Sequence, residues 1–208
     1  TPLYRLPVAI DIYTSTGVER KQIVITQAKE SFEFKVAEKP MLVNFDAEKM
    51  LLCTKTDNHT DEEFAYMFRH APRVMDRYEA LLRLTRDSKM SPLAADICRE
   101  GLNDSFWGIR SSALRNCRSI ASTVKPKMME MGKSDPKPSV RNDALDVLAI
   151  SFPKDKEVLP LMESLVHDSS YKVMQTSISY IIDNDPVKGL NMAKQLEQQD
   201  NDNIRGIL

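Results

Sequence analysis

One phrase recurs four times along the chain. It reads APRVMDRYEAL at Ala71–Leu81, DSFWGIRSSAL at Asp104–Leu114, DPKPSVRNDAL at Asp135–Leu145 and DSSYKVMQTSI at Asp168–Ile178. Aligned on Ala80, Ala113, Ala144 and Ser177, the copies lie 33, 31 and 33 residues apart. A hairpin of two helices cannot bury its apolar stripe alone and needs a neighbour of the same shape. A steady period in this range therefore predicts stacked helical hairpins, an α-solenoid.

The phrase also predicts which residues face inward. Ala113, Leu114 and Cys117 match Ala144, Leu145 and Leu148, and likewise Ala80, Leu81 and Leu84, then Ser177, Ile178 and Ile181. Such spacings put these side chains on one stripe of a helix. The small member lets neighbouring helices approach, and the large ones fill the groove. Ile109, Val140 and Val173 stand one turn earlier on the stripe, and Asp76 breaks the rule at the equivalent place. Asp104, Asp135 and Asp168 are placed to cap the helix that follows each of them. Arg77, Arg110 and Arg141 occupy one repeat position, from which Met174 departs. The order Asp, Val/Ile-Arg, Ala-Leu resembles the second half of a HEAT repeat. That resemblance implies that Asp104, Asp135 and Asp168 and Arg77, Arg110 and Arg141 hydrogen-bond between neighbouring repeats as a ladder; the alternative is ligand binding.

The first quarter of the chain has a different period. Leu6, Val8, Ile10 and Ile12 alternate with other residues, as do Phe32, Phe34 and Val36, and Met41, Val43 and Phe45. Alternation at period two predicts strands with one buried face. Ser15-Thr16-Gly17 is a turn signal, and Ile23-Val24-Ile25 is a further strand centre. About four antiparallel strands are expected within residues 3–46, with Pro7 on an edge or at a bulge because it has no N–H to give. The switch to helices follows Asp46. Thr60 with Glu63 makes a capping box, and Phe64, Met67 and Phe68 share a face. Ser91-Pro92 and Asp185-Pro186 are further helix starts. Two domains are expected, 1–55 and 56–208.

Composition excludes several classes. Lys+Arg 29 against Asp+Glu 30 leaves a net charge of −1, with no basic field for nucleic acid. Lys125, Lys127 and Lys133 cluster, but Glu130 and Asp135 intervene. No apolar run is long enough to span a bilayer. Cys53, Cys98 and Cys117 are odd in number and widely spaced, so buried free thiols are expected and no disulfide framework. His59, His70 and His167 belong to no HExxH pattern, and no Walker, GxGxxG or GxSxG motif is present. Asp57, His59 and Asp61 read as solvated loop residues, and Trp107 as a packing residue. Met128, Met129 and Met131 read as core, with an adaptable peptide groove as the alternative. No catalytic or metal-ligating residue is assigned.

The order of parts is informative. Short strands containing Leu6-Pro7-Val8-Ala9-Ile10-Asp11-Ile12, Phe32-Glu33-Phe34-Lys35-Val36 and Lys39-Pro40 lead to Val43-Asn44-Phe45-Asp46. Then come an acid-capped helix, Asp76-Arg77-Tyr78-Glu79-Ala80-Leu81, and the repeats, including Leu102-Asn103-Asp104-Ser105-Phe106-Trp107-Gly108-Ile109-Arg110. This order resembles the C-terminal part of aminopeptidase N-type zinc metallopeptidases. In that family a catalytic domain precedes a small β-sandwich and a HEAT-like helical domain. The resemblance implies a partial sandwich at 1–55 and a HEAT-like superhelix at 56–208. It also implies that the zinc cofactor sits in an upstream catalytic domain, since the family's HExxH…E and GxMEN motifs have no counterpart here. The expected partners are that catalytic domain and peptides, with no nucleic acid and no membrane. The implied setting is bacterial, cytoplasmic or periplasmic. The start at Thr1-Pro2-Leu3 is expected of an excised fragment, and Asn203–Leu208 of a truncated helix. The alternative function is a free-standing HEAT-like scaffold for another protein.

Overall fold

A computed structural model describes residues 4–86 and 89–197; the helix expected at 203–208 lies outside them. Its elements run β1 (Leu6–Thr14), β2 (Gly17–Ile25), β3 (Leu42–Phe45), α1 (Asp61–His70), α2 (Val74–Leu84), α3 (Pro92–Gly101), α4 (Trp107–Asn116), α5 (Ala121–Ser134), α6 (Pro138–Ser151), α7 (Val158–Ser164), α8 (Tyr171–Asn184) and α9 (Pro186–Glu197). A short 3-10 turn, Arg118–Ile120, leads into α5. The protein is mainly helical with a small antiparallel sheet. Two compact units divide at Leu84 and Thr85. The first helical hairpin thus shares a unit with the sheet, which extends past the expected boundary at residue 55.

In the first unit the sheet order is β2-β1-β3. β1 and β2 form a hairpin closed by Ser15-Thr16, with Thr14 opposite Gly17. Gly17 holds φ 139°, a conformation that side-chain-bearing residues rarely adopt. Among the described residues three strands form, where about four are expected. Phe32, Phe34 and Val36 alternate as a strand would, but no neighbouring strand pairs with them in the structure, and residues 31–37 are exposed coil. Alternation reports which faces could be buried; it cannot supply the partner that a ladder needs. Pro7 lies on the central strand, contrary to the edge placement. β3 pairs only with Ile10–Tyr13, so Pro7 stands beyond its reach and has a strand on one side alone.

β1 is buried on both faces. Val8, Ile10 and Ile12 join Ile23 in an apolar cluster, with Ile25, Phe45 and Leu51 packed against it. On the other face, Tyr13 sits edge-on to Tyr66 of α1, with ring centres 6.0 Å apart. Asp11 is buried there and takes a two-pronged hydrogen bond from its cross-strand partner Arg20, at 2.7 and 2.9 Å. Burial first, then the Asp11 and Asp76 charges, push the Tyr13 phenol up to about 12.

Asp76 explains its own exception to the repeat. It is fully buried on α2. Its Oδ1 accepts from Asn44 Nδ2 of β3 at 3.0 Å and pairs with Lys49 Nζ at 2.7 Å. An aliphatic residue at this place would remove the partner of Asn44 and leave Lys49 with Glu79 alone. Lys49 is held in turn by a tight turn in which Asp46 and Lys49 both have positive φ, of 52° and 55°. The Asp46 carboxylate fixes that turn by accepting from the N–H groups of Met50 and Leu51. α1 is capped as expected: Thr60 Oγ1 accepts from Glu63 N, and the Glu63 side chain accepts from Thr60 N.

In the second unit, each helix pairs with the next as a hairpin: α3 with α4, α5 with α6, and α7 with α8. The second helices, α4, α6 and α8, also pack side by side. The predicted stripe is their shared core. Ile109, Ala113, Leu114, Val140, Ala144, Leu145, Leu148, Val173, Ser177 and Ile181 are all wholly buried. Ser177 holds the small position with its hydroxyl unpartnered, so it acts there through size alone. Gly132 of α5 lies against α6, where a β-carbon would come within 2.8 Å of Leu145 Cδ2. Ser91 caps α3, and Asp185 Oδ1 accepts from Lys188 N at the start of α9. The cysteine expectation is overturned. Cys98 of α3 and Cys117 at the end of α4 form a disulfide, and Cys53 is exposed, not buried. Spacing along the chain could not show this, because the bond joins two elements that meet only on folding.

Replacing Asp76 by alanine removes one side of a buried ion pair, strands Asn44 and leaves Lys49 only its longer pair with Glu79. Such breaks cost roughly 3–5 kcal/mol, so Asp76→Ala should lower the urea midpoint of unfolding far more than Glu79→Ala at the same ion cluster. Equal, small shifts would show that Asp76 does not tie the sheet to α2.

Candidate functional site

The repeated Asp and Arg meet across hairpins. In α4, Arg110 sends Nε and Nη2 to the two carboxylate oxygens of Asp135, both at 2.8 Å. In α6, Arg141 does the same to Asp168, at 3.0 and 2.6 Å. The third nitrogen turns back to the start of the arginine's own repeat: Arg110 Nη1 donates to the carbonyls of Asp104 and Ser105, and Arg141 Nη1 to that of Asp135. Each guanidinium thus closes its own turn and grips the next one. The fork geometry matches a carboxylate as lysine could not.

The aspartates serve differently from a helix cap. Asp104, Asp135 and Asp168 accept from the N–H two residues on, at Phe106, Lys137 and Ser170. Those three residues are themselves the N-caps, and none uses its side chain for the purpose. Placed two residues early, each carboxylate braces the turn, and those of Asp135 and Asp168 still face the arginine of the preceding repeat. Ion-pair side chains are only 13% and 6% exposed at Arg110–Asp135, and 11% and 9% at Arg141–Asp168. The hydrogen bonds that Arg110 gives to the Asp135 carboxylate, set against partial burial, hold its guanidinium above its ordinary value. Met174, at the next position, is buried and apolar, so the described residues of the second unit contain two such rungs. Arg77 stands on α2 in the first unit.

A second polar line joins the same helices. Ser111 Oγ of α4 donates to Asp143 of α6. Thr176 Oγ1 of α8 is bonded to Asn142 at 3.0 Å and to Asp146 at 3.1 Å. A third knot lies at the turn between α6 and α7. Lys125 Nζ pairs with Asp155 at 2.8 Å and Glu157 at 2.6 Å, and stands over the Phe152 ring. Tyr180 Oη donates to the Phe152 carbonyl at 2.7 Å and accepts from Asp155 N. Lys125 is visible in the sequence only as one of a lysine cluster, and no signal there joins it to Asp155 or Tyr180, since these partners lie 25 or more residues apart.

The remaining candidates do not converge on chemistry. His59 packs edge-on against Phe64, His70 stacks on Tyr66 and His167 is exposed. Asp57 pairs with Lys55. Among the described residues, no three His, Cys, Asp or Glu side chains gather as a metal site. Met128 and Met131 are core, and Met129 is half-buried. Trp107 is 40% exposed, with Lys137 Nζ 5.0 Å from its ring centre, so it packs less than expected. A shallow cavity of about 300 Å³ opens beside the first rung, lined by Asn103, Asp104, Arg110, Lys127, Glu130 and Ser134. Its Arg110 is paired with Asp135, and its Lys127 with Glu130.

The chain matches no family model and no curated protein sequence. Among solved structures, it resembles the aminopeptidase A of Legionella pneumophila, crystallised with aspartic acid. The TM-score is 0.63 at 12% identity, over 98% of this chain and 31% of that one. The fold is shared with part of an aminopeptidase. This chain spans about a third of that protein's length.

The Lys125 knot gives a pH test. The hydrogen bond from Lys125, then the N–H groups of Glu157 and Val158, hold the Asp155 carboxyl below its ordinary 3.8. A lowered carboxyl contributes stability above its unfolded value, and that stability is lost as pH falls through the folded value. Melting temperatures should therefore drop in the acid limb below about pH 4, and Asp155→Asn should show a shallower drop there while melting lower at neutral pH. Superimposable acid limbs would remove Asp155 from the account.

Proposed function

We propose that this chain is a non-catalytic C-terminal portion of an aminopeptidase N-like zinc metallopeptidase. Its second unit acts as a HEAT-like solenoid that shapes or closes the chamber through which peptides reach the parent's catalytic domain. The observation that carries this reading is the fold likeness: nearly the whole chain superposes on about a third of an aminopeptidase. The side-by-side packing of α4, α6 and α8, with Arg-Asp rungs between their turns, supports the HEAT-like part of the reading. A partial sandwich is the matching reading of the three-stranded sheet.

The ionised side chains of the two rungs are saturated by each other and by backbone carbonyls. They suit rigidity better than ligand capture, so a peptide would be met by the surface that the hairpins build. Zinc, and the histidines and glutamate that hold it, belong in this reading to the catalytic domain of the parent. The partners are that domain and peptides.

Equilibrated with zinc salts and dialysed, the isolated chain should retain no stoichiometric zinc and hydrolyse no aminoacyl substrate. One bound equivalent, with peptidase activity lost on chelation, would refute the assignment. The genomic frame upstream of Thr1 separates the two readings of the sequence: an HExxH within a few hundred codons supports the peptidase, and a start codon next to Thr1 supports a free-standing scaffold.

A further inference from the structure

We propose that Cys98 and Cys117 form a thiol–disulfide switch that locks α3 onto α4. Cys98 lies on α3, and Cys117 stands at the C-terminal cap of α4, where the chain turns into Arg118–Ile120. Both are wholly buried, and the bond closes a separation of 19 residues. The repeat shows what the bond replaces. Position 117 corresponds to Leu84, Leu148 and Ile181, large side chains that fill the groove between helices. Cysteine is smaller, and a covalent bond does here what side-chain bulk does elsewhere.

α3 is also poorly furnished for apolar anchoring. Besides Cys98, its buried side chains are Ala94, Ala95 and Ile97. The equivalent helix α5 buries Val124, Met128 and Met131, and α7 buries Val158, Leu161 and Met162. Meanwhile α4 is held to the next hairpin independently, through Arg110–Asp135 and Ser111–Asp143. Losing the disulfide therefore loosens α3 and leaves α4, α6 and α8 together.

The chemistry is a two-electron exchange. The two thiols give up two electrons and two protons to a disulfide oxidant, such as oxidised glutathione, which leaves as two thiols while the Cys98–Cys117 bond forms. A dithiol reductant reverses the step and is itself left as a disulfide. Because both sulfurs are buried, exchange requires α3 to open first, so the lock responds at the rate of local opening.

The test uses the 208-residue chain after equilibration with oxidised glutathione. In a Cys53→Ser background, where glutathione has no exposed thiol to cap, alkylation in denaturant should label neither Cys98 nor Cys117, and both after reduction with a phosphine. Reduction should lower the melting temperature on the order of 5–15 °C and raise amide exchange within residues 92–120. In a Cys53→Ser background, the double variant C98A/C117V keeps the site apolar and should not respond to the phosphine. Labelling of Cys98 and Cys117 after oxidation would overturn the proposal. So would exchange that reduction leaves unchanged or raises equally across α5–α8, or a C98A/C117V variant that still responds.

Discussion

The second unit depends on a guanidinium that is asked to do two things at once. Arg110 and Arg141 each reach back to a carbonyl at the head of their own repeat and forward to the carboxylate at the head of the next. Burying a charge is costly unless it is paired and hydrogen-bonded, so each arginine tolerates little play in where the next turn lies. The apolar stripe supplies most of the attraction between helices, because it is fully buried and large. That attraction is not directional. The forked ion pair is, and it fixes which turn sits beside which.

The first unit solves a different problem with similar means. A three-stranded sheet exposes two faces, and one of them must accept a helical hairpin. Asp76 takes the place where a repeat would put an aliphatic residue and uses it to reach Asn44 and Lys49. The strained turn at Asp46–Lys49 positions the lysine for this. Substituting an aliphatic residue would suit the stripe and leave the sheet without its polar link.

Much of this was legible because the repeat is regular. The stripe, the capping box at Thr60, the helix starts at Ser91 and Asp185, and the hairpin turn at Ser15-Thr16 all follow from local pattern. What escaped was long-range. Phe32–Val36 has the alternation of a strand but lacks a neighbour to pair with. Cys98 and Cys117 meet only through the fold, as do Lys125, Asp155 and Tyr180. Asp135 and Asp168 sit where a cap would be expected, yet their role depends on arginines in other repeats. Asp76 was visible as an exception, and only the structure gives its reason.

The proposed function gives the chain a supporting role beside a catalytic domain. Such a role asks for stiffness, and the rungs are where stiffness is built. A double-mutant cycle on Arg141 and Asp168 tests this most directly, with Arg141→Met and Asp168→Asn, because asparagine keeps an oxygen for the Ser170 N–H. The account predicts a coupling energy of roughly 1–3 kcal/mol in denaturant unfolding. Additive effects, with coupling inside about 0.5 kcal/mol, would contradict it and leave the apolar stripe as the only agent of register.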